Sequence, residues 1–287
     1  MNNILAASAS FSPNLIRDLK EMWQYPFMQH AFQAGTLVAI VAGVVGYFVV
    51  LRRLSFAAHA LSHIGFSGAA GAVLIGLNPL AGLLAFTVGG GATIALLGKR
   101  AINQDVQIGT VLAFILGLGV LFISLYKGYA TEAYSLLFGE ILGISARSVA
   151  ITAIAVLFTL AAVTVLFRKL VFTSIDEDVA EAKGISLPGM NVAFMVLVAL
   201  AVSVSVQVVG VLLIFALMVT PAAIADRIAK RPVQGVAISV GVSVLATWVS
   251  LFVSYYLPYP VSFFITSLTF GGYLVVRVWQ WCSKTSS

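Results

Sequence analysis

Charged side chains are missing from long stretches of the chain, and these stretches follow one another with short polar breaks between them. Uncharged segments run over 31–51, 54–77, 79–98, 106–126 and 148–167, followed by two longer blocks at 184–225 and 232–276. About twenty apolar residues at a rise of 1.5 Å each cross the hydrocarbon of a bilayer. Each short segment therefore predicts one spanning helix, and each block predicts two. The breaks inside the blocks are expected at Ser203–Gln207 and at Pro258-Tyr259-Pro260. The total is nine crossings, or eight if one break marks a re-entrant piece buried in protein. Ahead of them, Leu15, Ile16, Leu19, Met22 and Trp23 recur at helical spacing against Arg17, Asp18, Lys20 and Glu21, which predicts a short amphipathic helix lying at the interface. The expected fold is an all-α, polytopic transmembrane helical bundle. Its parts are an amphipathic segment over 1–30, one transmembrane domain over 31–282 and a tail over 283–287.

Composition agrees with that pattern. Of 287 residues, 61% are hydrophobic and 9% are charged, against about 25% charged in a soluble domain. There is too little polar material to cover a surface facing water, which excludes a soluble enzyme, a nucleic-acid module and a secreted scaffold. The net charge of +6 has a membrane explanation, because Lys and Arg accumulate on cytoplasmic loops. If successive segment ends alternate sides, twelve of the sixteen Lys and Arg residues fall on one side and only Arg17, Lys20, Lys127 and Arg147 on the other. The first side is then cytoplasmic, the N-terminus faces out and the C-terminus faces in. The single cysteine, Cys282, permits no internal disulfide and no thiolate cluster. No basic, apolar and small-residue succession of a signal peptide opens the chain. No Gly-rich phosphate loop occurs either, so the chain is expected to leave nucleotide hydrolysis to another subunit.

Two places carry candidate chemistry. The first is His59-Ala60-Leu61-Ser62-His63, inside an uncharged segment. Residues four apart share a helix face, and two neutral imidazoles there can close on one transition-metal ion. Two ligands are an incomplete shell, as a transport site needs, since an ion must both enter and leave. Imidazole suits zinc and its neighbours better than magnesium or calcium. Protonation near the ordinary imidazole value of about 6.5 is expected to weaken capture. A metalloprotease would need a glutamate beside the first histidine, and Ala60 stands there. His30 has no such companion and reads as an interfacial residue.

The second place is Ser174-Ile175-Asp176-Glu177-Asp178-Val179-Ala180-Glu181-Ala182-Lys183-Gly184. Ser174 with Glu177 three positions on forms a capping-box pattern. Acids at the start and Lys183 at the end complement the helix dipole, and Gly184 stands where a helix stops. A short helix with an apolar stripe of Ile175, Val179 and Ala182 is expected, either docked on its own bundle or offered to a partner. Elsewhere, Pro221 ahead of Asp226 and Arg227 predicts a kinked helix, and Glu140 reads as an interfacial acid.

Several blocks resemble one family. Arg52-Arg53-Leu54-Ser55-Phe56, Ala60-Leu61-Ser62-His63, Leu136-Leu137-Phe138-Gly139 and Val209-Gly210-Val211-Leu212-Leu213 leading to Pro221-Ala222 are similar, in order and spacing, to the membrane permeases of bacterial zinc/manganese-uptake ABC transporters. The resemblance implies a permease of the cytoplasmic membrane that works as a homodimer with cytoplasmic ATPase subunits and an extracytoplasmic metal-binding protein. It implies that the 174–184 segment is the coupling helix, with Glu177, Ala180, Glu181 and Gly184 facing the ATPase. It also implies a metal site in the transport path at His59 and His63, with no permanently bound cofactor. The family pattern usually carries an acid where His59 stands. A second imidazole makes the site softer and less charged, which tilts the expected cargo toward zinc, with manganese or iron as the other candidates. The rival expectation is an ATP-independent cation carrier or channel, whose usual intramembrane carboxylate relays this sequence lacks almost entirely.

Overall fold

Hydrocarbon offers the backbone no water, so every spanning stretch must bond its own N–H and C=O groups, which a helix does. The protein was analysed as a computed structural model that describes residues 20–97, 104–126, 139 and 141–285, and no strand occurs among them. The helices are α1 (Pro26–Leu51), α2 (Ser55–Leu74), α3 (Pro79–Leu97), α4 (Gln104–Leu125), α5 (Ala146–Ile175), α6 (Glu177–Ala182), α7 (Leu187–Val209), α8 (Val211–Ile228), α9 (Pro232–Tyr256) and α10 (Val261–Thr285). Pro26 and Pro232 open α1 and α9 at the first helical turn, where the fixed proline φ suits a helix and the missing N–H costs nothing.

Several boundaries differ from expectation. Within 12–30, residues 12–19 lie outside the described part, and the chain turns at Trp23 and Gln24 before α1 begins at Pro26. The break in the 184–225 block falls at Gly210 rather than at Ser203–Gln207. The Ser203 and Ser205 hydroxyls donate to the Ala199 and Ala201 carbonyls, both at 2.7 Å, and so stay within the helix. Gly210 ends α7 with a φ of 82°, a left-handed value that glycine adopts without steric penalty. The second break does fall at Pro258-Tyr259-Pro260. The cap of α6 is Asp176, whose carboxylate accepts from the Val179 N–H at 3.0 Å. Ser174 is instead still inside α5, with its hydroxyl donating to the Leu170 carbonyl at 2.5 Å.

Eight of these helices are long and apolar enough to cross a membrane, and α2 is the long helix that falls short. Two histidines, three serines and three glycines lower its apolarity, and thirteen of its twenty residues are buried. It packs against α3, α4, α7 and α8, so other helices shield it from lipid. The core lies along α1 and α7, whose most apolar windows are 67% and 72% buried, whereas α4 and α10 are peripheral at 11% and 17%.

Without a hydrophobic force between helices in lipid, close backbone approach and polar bonds hold the bundle. Gly68 of α2 and Gly82 of α3 meet backbone to backbone, each occupying the space a Cβ on the other would need. The Thr87 and Ser203 hydroxyls are bonded at 2.6 Å between α3 and α7. Pro221 lies inside α8 and cannot bond back to the Leu217 carbonyl. Ser243 of α9 supplies a donor to that carbonyl at 3.4 Å. At the end of α1, Arg52 donates to Asn191 Oδ1 at 2.8 Å and lies 4.7 Å from the Phe194 ring centre. Burial pushes its guanidinium down to about 10, which still leaves it charged at neutral pH.

Candidate functional site

The site is built on α2, whose packing against three apolar neighbours fixes one face of small residues and leaves the histidine face toward α8. His59 and His63 are each partly buried. Their ring centres are 4.7 Å apart with the planes at 81°, as the helical spacing of four predicts. A metal–nitrogen bond of about 2.0–2.1 Å from each ring fits a separation of this size. Phe215 of α8 stands edge-on to His59, with ring centres 4.8 Å apart, and restricts that imidazole. Ser62 donates to the His59 carbonyl at 2.7 Å and Ser67 to the His63 carbonyl at 3.3 Å. These hydroxyls are thereby occupied with backbone, and the imidazole nitrogens are not their partners.

His59 Nδ1 is buried and has no hydrogen-bond partner among the described residues. A histidine kept for packing would normally be bonded, because an unsatisfied buried polar atom costs about 1–3 kcal/mol. In its unprotonated form, a ring nitrogen left unbonded next to a second imidazole can act as a ligand. Among the described residues no group of three or more His, Cys, Asp and Glu gathers anywhere. His30, in the first turns of α1, therefore does not join the pair, and no described carboxylate joins the two imidazoles.

The second place is the α5–α7 connection. Asp176 caps α6, and Gly184 closes it with φ at 75°. Val179 and Ile175 are exposed, while Ala180 is fully buried against the chain's own bundle. Glu181 and Gly184 are exposed and Glu177 is partly so. The segment thus docks through Ala180 and turns an apolar and acidic edge outward. Lys183 lies 4.1 Å from the Phe172 ring centre and helps fix that turn. Glu140 lies outside the described residues, as do Leu136, Leu137 and Phe138. Gly139 abuts the backbone of Val209 and Gly210 at the α7–α8 break, so two of the sequence blocks meet there. Phe215 and Ser243 carried no sequence signal: both act across helices, through contacts that no spacing within one segment encodes.

Residues 24–280 match the model of the family described as the ABC 3 transport family. A relative called manganese transport system membrane protein MntC, from Listeria monocytogenes, is 28% identical over 238 residues, covering 83% of this chain and 85% of that one. The manganese import system permease protein ScaB of Streptococcus parasanguinis is 31% identical over 233 residues, covering 81% and 83%. The solved structure of PsaBC from Streptococcus pneumoniae in complex with Fab superposes with a TM-score of 0.82 at 29% identity, covering 92% of this chain and 95% of that one. A structure titled an inward-facing conformation of a putative metal-chelate type ABC transporter shares the fold, with a TM-score of 0.67 at 16% identity, covering 93% and 91%.

Proposed function

The chain belongs to the ABC 3 transport family, and we propose that it is the permease subunit of an importer that passes a divalent transition-metal ion inward across the cytoplasmic membrane by way of His59 and His63. It is a transport component rather than an enzyme. The observation that carries the metal path is the imidazole pair itself, 4.7 Å apart, with a buried nitrogen that has no hydrogen-bond partner among the described residues. A binding protein outside would deliver the ion, a second permease copy would complete the pathway, and ATPase subunits below would drive the switch. The α6 segment, with Glu177, Glu181 and Gly184 at its outer edge and Ala180 seating it, is the proposed point of contact with the ATPase. Each helix end then falls on alternate sides with α2 counted as a ninth crossing. Its burial supports that count, since a helix shielded from lipid need not be uniformly apolar.

The MntC and ScaB relatives carry manganese in their names, and manganese is the reference cargo. His59 is the residue that shifts this chain from that reference. Two imidazoles with no carboxylate beside them among the described residues form a softer and less charged set, which ranks zinc above manganese. ATP-driven uptake of each ion by reconstituted vesicles, with the other as competitor, tests the ranking. Zinc is expected to suppress manganese uptake more strongly than the reverse, and His59→Asp is expected to move the preference toward manganese. An unchanged ranking in an assembled His59→Asp complex would remove His59 as the determinant. Equal uptake with and without ATP would favour the stand-alone carrier instead.

A further inference from the structure

α8 and α10 are separated by one antiparallel helix, so they run in the same direction and their C-terminal ends meet at one membrane face. Between those ends lies a pocket of about 350 Å³ lined by Arg227, Arg277, Val278, Gln280 and Trp281. Arg227 is held in place: Nη1 donates to Gln280 Oε1 at 3.1 Å and Nη2 to the Tyr273 hydroxyl at 3.3 Å, and Gln280 Nε2 returns a bond to the Arg227 carbonyl at 3.0 Å. A guanidinium has five N–H donors, so most of them remain for another acceptor. Arg277 is exposed at the other wall. No carboxylate lines the pocket among the described residues. Asp226, next in sequence to Arg227, is exposed and does not line the pocket.

The depth of the pocket identifies what it faces. Arg277 comes sixteen residues after the start of α10 at Val261, or about 24 Å along the axis at 1.5 Å per residue. Trp279 and Trp281 follow it, 64% and 72% exposed, and exposed tryptophans at a helix end mark the headgroup layer. Two arginines in the last turns of their helices, with no described carboxylate lining their pocket, lie toward a layer that contains phosphate. Basic pockets between membrane helices bind anionic headgroups in this way, and arginine's planar fork suits phosphate oxygens. We propose that this pocket binds the headgroup of an anionic phospholipid, with Arg227 and Arg277 on the phosphate. The site is separate from the metal path and does not depend on which ion is carried.

The test uses the full-length permease with its ATPase subunits, titrated with phosphatidylglycerol or phosphatidylcholine and read by native mass spectrometry as lipid retained. The expected result is preferential retention of phosphatidylglycerol, lowered about five-fold by Arg277→Gln, the factor for one cation at a charged surface. Arg277→Lys should restore part of the retention. Lys230→Gln removes an exposed charge at the same face but outside the pocket, and should change nothing. Equal losses with Lys230→Gln and Arg277→Gln would overturn the site in favour of diffuse attraction. Displacement of the lipid by millimolar inorganic phosphate would overturn it in favour of a free-phosphate site. If Arg277→Gln keeps the lipid but sheds the ATPase, the pocket is a protein-docking surface and the proposal fails.

Discussion

At the scale of single residues, the fold is held by atoms that compensate one another's losses. Pro221 leaves the Leu217 carbonyl without its helical donor, and Ser243 shares its hydroxyl hydrogen between that carbonyl at 3.4 Å and the Ser239 carbonyl at 2.9 Å. Polar bonds between membrane helices average about 0.6 kcal/mol, so Ser243→Ala is expected to destabilise the purified protein by about that amount. In a Pro221→Ala background the same change should cost less, because the carbonyl regains its own donor. Thermal unfolding of the four variants closes this cycle, and equal costs in the two backgrounds would contradict the assignment. The His59–His63 pair was legible at this scale, since a spacing of four fixes a shared helix face whatever the tertiary fold. Phe215 was not, because its contact with His59 depends on how α8 packs against α2.

At the scale of elements, apolar length predicted the helices and local chemistry set their ends. The break at Pro258-Tyr259-Pro260 was readable because two prolines close together cannot continue a helix. The break at Gly210 was not, because Ser203 and Ser205 mimic a polar interruption while bonding back into their own turn. Ser174 misled for the same reason: its hydroxyl stays in α5, and the cap passes to Asp176. That correction carries a prediction. Loss of an N-cap costs about 1 kcal/mol, which a helix of six residues cannot absorb, so Asp176→Ala should loosen α6 without disturbing the bundle. If α6 couples the permease to the ATPase, the number of ions carried per ATP should fall while the complex still assembles. An unchanged ratio would show that coupling does not run through this helix.

At the scale of the whole molecule, the central question is which side each helix end faces and what runs between the sides. The proposed count of nine crossings, with α2 as the ninth, would put the C-terminus in the cytoplasm. Cys282, the single cysteine and an exposed one, is a built-in reporter. A membrane-impermeant maleimide should label it in inverted vesicles and leave it unmodified in intact cells, and the reverse pattern would invert the topology. The proposed path rests on two imidazoles 4.7 Å apart, one of them flanked by Phe215 of α8. The direct measurement is ATP-driven uptake of radioactive zinc into vesicles containing the assembled complex, with His63→Ala and with His59→Ala, His63→Ala together. The account predicts that His63→Ala abolishes uptake while the subunits remain associated; full uptake by the assembled double variant would contradict it.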